Sequence, residues 1–197
     1  MATVQTTAPA VEPLALADVK AHLRIDTSDE DTLLLSLILT SRLHVEVALG
    51  LALITQTWSC FFDRWPLAPD ANPYPITLPL SPVRSIDAVR VYAGDGTFVS
   101  PPLTSFSADL ASRPPRIIRS PGTQIPDPGR RMNGIEISIT AGFGATAADV
   151  PAPIRQALLL LVAHWYEHRD PGEIGSADAR LPGNISALLA PYVPVRL

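Results

Sequence analysis

Three residues near the C-terminus have the types and spacing of a metal site. His164, Glu167 and His168 form the pattern H-x-x-E-H, which is the signature of inverted zinc proteases. Histidines four residues apart lie on one face of a helix, as zinc binding requires. A catalytic zinc also needs a third protein ligand and an open coordination position. A zinc metallohydrolase is therefore one hypothesis, and it depends on that third ligand.

The chain after His168 supplies only weak candidates for this ligand. It contains Asp170, Glu173 and Asp178 but no further histidine or cysteine. The competing interpretation is a structural helix in which Trp165 faces the core and His168 complements the helix dipole near the C-terminus. We favour the structural helix and predict no bound metal.

Other reactive residue types have structural explanations as well. Cys60 is the only cysteine, which excludes an internal disulfide, and it alternates with the apolar Trp58 and Phe62 as a core thiol would. The acidic cluster from Asp26 to Asp31 lacks the glycine and the spacing of a calcium loop. Neither a G-x-S-x-G nor a P-loop pattern occurs. We therefore predict a protein that is not an enzyme and needs no cofactor.

Charge and hydropathy restrict the binding partners. The net charge is -4, Lys20 is the only lysine, and charged residues make up 17% of the chain against about 25% in typical proteins. Tight binding to the DNA backbone needs a dense cationic surface, which this composition does not provide. Residues 1–13 do not have the features of a signal peptide, and the apolar runs fall short of the ~20 residues that span a bilayer. We expect no specific DNA binding and no membrane association.

Hydrophobic periodicity predicts helices at both ends of the chain. A short helix in LALADVKAHLRI should be followed by a long one, which starts at a Thr27–Glu30 capping box and ends before Gly50. A third helix over about Ile154–Arg169 is apolar on nearly every side, as a buried helix would be. LPGNISALLAPY predicts a fourth, short helix.

The middle of the chain has the alternation of short strands. Candidates are TQTWSCFFD, PITLPL, SIDAVRVYAGDGTFV, SFSADL, PRIIRS and GIEISITAG, with a tight hairpin at Gly94–Gly96. The predicted fold class is therefore α+β: the N- and C-terminal helices form a helical bundle, with a central inserted antiparallel β subdomain and an extended C-terminal tail. The expected divisions are a flexible leader (1–13), N-terminal helices (14–54), the β insert (55–150), C-terminal helices (151–190) and an extended tail (191–197).

Four segments, taken in order, resemble one family. LALADVKAHLRID and GLALITQTW are similar to the K-x-H-L-R-[IV] and G-x-x-L-[IL]-T-Q-[TS]-W patterns of head–tail connector (adaptor) proteins. LPLSPVRSI is similar to their L-P-x-x-P-V-x-S-[IV], and ITAGFG followed by VPAPI to their T-A-G-[YF]-G and V-P-x-x-[IL]. The resemblance covers residues 14–197 and is to connectors of long-tailed bacteriophages and of gene transfer agents. His44 and Val45 stand where the family often has an aromatic residue before Glu46.

The resemblance implies a structural role at the neck of a particle made in the bacterial cytoplasm. Such proteins form a homo-oligomeric ring, usually dodecameric, between the portal protein above and the stopper or tail-completion protein below. DNA passes through the lumen of the ring without specific binding. A stopper or tail-completion protein of similar size is the alternative within the same class.

Two sets of residues follow as candidate contacts. In related adaptors the C-terminal segment docks on the portal, and an extended proline-rich tail loses little conformational entropy on docking. The candidate portal contact is therefore Pro191, Tyr192, Val193, Pro194, Val195, Arg196 and Leu197. The candidates for the bundle core and for packing between subunits are Leu37, Val45, Leu158, Leu161 and Trp165.

Overall fold

Helices and strands separate into two structural units. A computed structural model describes residues 1–66, 74–168 and 183–193 of the 197-residue chain. Within these residues every strand belongs to one unit and every α-helix to the other. The protein is therefore a mixed α+β protein, as predicted.

The β unit comprises Met1–Ala10 and Thr55–Phe143, close to the predicted insert at 55–150. Its strands are β1 (Ala2–Thr7), β2 (Gln56–Phe62), β3 (Ile76–Thr77), β4 (Val83–Tyr92), β5 (Phe98–Val99), β6 (Phe106–Asp109), β7 (Arg116–Arg119) and β8 (Ile135–Ala141). One sheet has the order β1-β2-β8-β4-β5, the other has the order β3-β7-β6, and all neighbouring strands are antiparallel.

The alternation of β8 sets the two faces of the larger sheet. Ile135, Ile137 and Ile139 are fully buried on one face, which is the face that their spacing predicts. The buried thiol of Cys60 in β2 pairs in register with Ile137. Burial raises the pKa of this thiol to about 11, so Cys60 is an unreactive core residue.

The expected flexible leader is instead partly a strand. β1 lies antiparallel to β2 at the edge of the five-stranded sheet, with Thr3 opposite Cys60. The side chains of β1 are exposed, so the strand has no apolar face by which its sequence could be recognised. Backbone hydrogen bonds to a distant strand hold it, and such bonds leave no local pattern in the sequence.

The helical unit comprises Val11–Ile54 and Gly144–Leu197. Its helices are α1 (Leu16–Leu23), α2 (Asp31–Leu49), α3 (Ala152–Glu167) and α4 (Gly183–Leu189). Helix α3 contacts each of the other three, which explains why its sequence is apolar on so many sides. The core of the unit includes Val19, Leu34, Ile38, Val45, Ile154, Leu158, Leu161 and Ile185.

The start of α2 differs from the predicted capping box. Helix α2 begins at Asp31, and the N-cap residue Glu30 makes no side-chain cap. The acidic side chains are used in contacts with other helices instead. Lys20 of α1 donates a hydrogen bond to Asp31 at 2.7 Å, and the hydroxyl of Tyr166 in α3 donates to Glu30.

Helix α2 also corrects the expectation about apolar runs. Its 19 residues are long and apolar enough to cross a bilayer by length and composition alone. Leu34, Ile38 and Val45 are nevertheless buried within the helical unit, as in the core helix of a folded protein.

The C-terminus of α2 matches the prediction. Gly50 adopts left-handed backbone angles (φ 62°, ψ 38°), and its N–H donates to the carbonyl oxygen of Glu46. Glycine is favoured here because a Cβ atom makes this conformation unfavourable.

Replacing Gly50 with alanine should therefore lower the free energy of unfolding by about 1–2 kcal/mol, measured by urea denaturation. The matched control is Gly183→Ala in α4, where an added Cβ has open space around it and no positive φ applies. Equal losses for the two variants would contradict the assignment of the cost to the backbone angle of Gly50.

Candidate functional site

His164 of α3 and His168, which directly follows this helix, are neighbours but do not form a metal site with other described residues. The rings of His164 and His168 lie 4.5 Å apart between centroids. His168 Nδ1 is 2.9 Å from the backbone carbonyl oxygen of His164, which can only accept, so this nitrogen carries the proton. No group of three or more metal-ligating side chains occurs in the described part of the chain. Asp170, Glu173 and Asp178 lie outside it.

The residues between the histidines join α3 to α2. The indole ring of Trp165 makes an edge-on contact with the imidazole of His44, with 5.7 Å between ring centroids. Tyr166 hydrogen bonds to Glu30 just before α2 begins. His44 is one of the two positions where the resemblance led us to expect an aromatic residue, and its imidazole ring makes this contact.

The predicted packing residues divide into two groups. Val45, Leu158 and Leu161 are buried by their own chain, with at most 1% of their surface exposed. Leu37 and Trp165 are half-buried. Val45, Leu158 and Leu161 therefore belong to the core of a single copy, because they have almost no exposed surface with which to contact a neighbouring subunit.

A buried ion-pair network in the helical unit was not predicted from the sequence. The guanidinium of Arg42 donates to Glu46 at 2.8 Å and to Glu12 at 2.7 Å. Arg42 and Glu46 are 5% and 7% exposed. The other carboxylate oxygen of Glu46 accepts the backbone N–H of Leu53 at 2.8 Å. The network therefore ties together α2, the segment before α1 and the segment that leaves α2.

The network is stable only while Arg42 keeps its carboxylate partners. Burial lowers the pKa of Arg42, but the hydrogen bonds and charges of Glu12 and Glu46 outweigh this effect and raise it overall. A buried charge without its partner would be strongly unfavourable. The signal in the sequence was the four-residue spacing of Arg42 and Glu46, in the same helical row as Leu34 and Ile38.

A second buried carboxylate lies on the polar face of the larger sheet. Glu136 in β8 accepts hydrogen bonds from Ser59 in β2 at 2.7 Å and, in β4, from Arg90 at 3.0 Å and Tyr92 at 2.6 Å. Burial acts to raise the pKa of Glu136, yet these three donors outweigh it and lower the pKa overall. One side chain thus links the three central strands.

Arginines cover the aromatic residues beside this carboxylate. The guanidinium of Arg130 lies 4.7 Å from the ring centre of Tyr92, and that of Arg90 lies 5.5 Å from the ring centre of Phe98. Such distances are typical of cation–π contacts. Arg130 is therefore engaged with an aromatic ring of its own unit.

The C-terminal tail begins later than expected. Ala190–Tyr192 form a 3-10 turn directly after α4, so Pro191 and Tyr192 are not extended. Val193 has extended backbone angles and is 53% exposed. The remaining four residues of the predicted tail, Pro194, Val195, Arg196 and Leu197, lie outside the described residues.

Replacing Arg42 with methionine should reduce the free energy of unfolding by about 3–5 kcal/mol, because Glu46 would remain buried without its cation. Urea denaturation at neutral pH measures the loss. The control is Lys20→Met, which breaks the partly exposed Lys20–Asp31 pair and should cost less than about 1 kcal/mol. A small loss for both variants would contradict the role of the buried network.

The lowered pKa of Glu136 predicts a specific dependence of stability on pH. Its contribution should be complete above the ordinary glutamate pKa of about 4.3 and should be lost as the pH falls through the lower folded value. The stability difference between wild type and Glu136→Gln, measured by urea denaturation, should therefore shrink between pH 7 and pH 3. The stability difference between wild type and Tyr92→Phe, which removes only one of the three donors, should shrink less over the same pH range. A difference independent of pH would contradict this assignment.

Part of the chain matches a known protein family. Residues 14–93 match the family described as Phage gp6-like head-tail connector protein. A search of curated proteins found no match.

Solved structures resemble the whole chain. One is a chain from the neck of an empty gene transfer agent (GTA) particle computed with C6 symmetry. It has a TM-score of 0.79 and 28% sequence identity, and the alignment covers 100% of this chain and 97% of that chain. A chain in the virion of the native GTA particle has TM-score 0.78, 27% identity and the same coverage. A chain in the neck of the native particle, computed with C12 symmetry, has TM-score 0.75 and 28% identity, again covering 100% and 97%. Residues 14–93 thus match the model of the Phage gp6-like head–tail connector family, and the resemblance to head–tail connectors predicted from the sequence is confirmed.

Proposed function

We propose that this protein is a structural head–tail connector that forms a ring in the neck of a tailed phage or gene transfer agent particle. The observation that carries the proposal is the full-length structural likeness to GTA neck chains, at 28% identity and TM-score 0.79. The ring rests on the C6 and C12 symmetry with which those necks were computed. A structural rather than catalytic role agrees with the connector family matched by residues 14–93.

The composition suits a channel through which DNA passes. The chain has a net charge of -4 and one lysine. Dense cationic surfaces hold phosphates and slow the movement of DNA, and this chain has no such composition. A ring of these subunits would confine DNA without binding it tightly.

The proposed partners are the portal protein on one side and a stopper or tail-completion protein on the other. The last five residues of the sequence, from Val193 to Leu197, are the proposed portal contact. Pro194 restricts the unbound chain, so docking costs less conformational entropy than for a segment without proline. Val195 and Leu197 would supply apolar side chains for the contact.

The direct test is deletion of the gene in cells that produce the particles. Filled heads and free tails should accumulate unjoined, as seen by electron microscopy, and the full-length protein supplied from a plasmid should restore joined particles. Joined particles in the absence of the protein would overturn the proposal. Co-purification with tail proteins but not with portal would favour the stopper alternative.

Removal of residues 194–197 tests the docking tail separately. The truncated protein should keep the thermal unfolding transition of the full chain, because the cut lies beyond α4 and the turn that follows it. It should fail to restore joined particles in the deletion strain. The control replaces the exposed Gln124 with alanine, which should restore joining fully. Joining by the truncated protein would contradict the assigned tail contact.

A further inference from the structure

The outward face of α2 carries apolar residues where a surface helix normally carries charge. Leu35, Leu39, Leu43 and Val47 follow at four-residue intervals and are 51%, 42%, 46% and 84% exposed. At a rise of ~1.5 Å per residue, this row extends about 18 Å along the helix. Leu33, which is 36% exposed, widens the same face.

The charged residues of α2 lie on its buried side and not on its exposed face. Between Thr32 and Leu49 the formally charged residues are Arg42 and Glu46, and both are buried in the ion-pair network. Asp31, at the first position of the helix, pairs with Lys20. An ordinary surface helix buries its apolar residues and exposes its charged ones, whereas α2 buries charged residues and exposes leucines. The exposed apolar face of α2 is therefore poorly suited to contact with water.

A row of small residues lies beside the apolar row. Thr32, Ser36 and Thr40 also follow at four-residue intervals and are exposed. Helices pack by inserting the ridge of one four-residue row into the groove beside a row on the other helix. The α2 outer face, defined as Leu35, Leu39, Leu43 and Val47 with this neighbouring row, therefore has both a ridge and a groove.

We propose that the α2 outer face is the apolar centre of the contact between adjacent copies of this chain in the ring. The inference rests on the proposed function, since the neck chains that this protein resembles come from C6 and C12 assemblies. A ring joins each copy to two neighbours through two different surfaces, and the α2 outer face is one of them. A stable contact buries about 800 Å² on each partner, so polar residues around the face complete it.

A second copy fits the α2 outer face better than a membrane does. Helices that lie on membranes carry lysine and arginine on their polar face. The residues just before α2 are the acidic Asp29 and Glu30, and the only arginine of the helix, Arg42, is buried in an ion pair. The inner face of α2 is also occupied by the core of the helical unit.

Site-specific photo-crosslinking in assembled particles tests the contact. A photoreactive phenylalanine analogue replaces Leu43, and the control places it at Gln124, an exposed position in a loop of the β unit. After irradiation, the Leu43 variant should yield covalent products at multiples of the mass of this chain, identified by mass spectrometry. The Gln124 variant should yield few such products.

The other outcomes separate the contact from the proposed function. Crosslinks from position 43 to a different protein or to lipid would overturn the contact while leaving the connector role intact, and so would no crosslink in particles that contain the chain. Absence of the chain from purified particles would overturn both.

A charge substitution measures the importance of the contact. Leu39→Glu with Leu43→Glu places two carboxylates in an interface that excludes water, which should lower the amount of chain in particles by more than about tenfold. Thr104→Glu with Gln124→Glu is the matched control at exposed positions of the β unit. Circular dichroism and thermal unfolding should match wild type for both variants. Normal incorporation of the α2 variant would overturn the contact, and if that variant fails to fold, the crosslink at position 43 decides.

Discussion

The helical unit depends on the pairing of Arg42 with two carboxylates inside it. A guanidinium that is 5% exposed requires partners, and Glu46 and Glu12 provide them from two different segments of the chain. This requirement fixes the rotation of α2, because the row that carries Arg42 and Glu46 must face inward. The neighbouring row of leucines is then directed outward. One buried pair thus orders the core of a single copy and selects the surface offered to other molecules.

The parts of the fold that could be predicted are those with a local periodic signal. Helix α2 ends at Gly50 as expected because the left-handed conformation strongly favours glycine. The strand β8 has the predicted faces because its isoleucines alternate with polar residues. The long helices and all strands after residue 55 have such patterns, and each was found close to its predicted position.

The parts that were missed depend on partners distant in the chain. Strand β1 has exposed side chains and is held by backbone bonds to residues 50 or more positions later. The acidic residues at the start of α2 resembled a helix cap, but Glu30 and Asp31 contact α3 and α1 instead. Glu136 resembled an ordinary solvent-facing residue of an alternating strand, whereas three donors from two other strands bury it. The HWYEH stretch looked like a site for chemistry, and the structure uses its aromatic residues to hold two helices together.

The position of β8 in the larger sheet has a consequence for how the chain folds during synthesis. It is the last strand of that sheet to be made, and yet it lies in the middle, between β2 and β4. Until residue 141 leaves the ribosome, the sheet can exist only as two separate strand pairs, β1 with β2 and β4 with β5. Isolated two-stranded ribbons are at best marginally stable in water. The larger sheet therefore lacks its central strand for most of its synthesis, and a single late segment completes it.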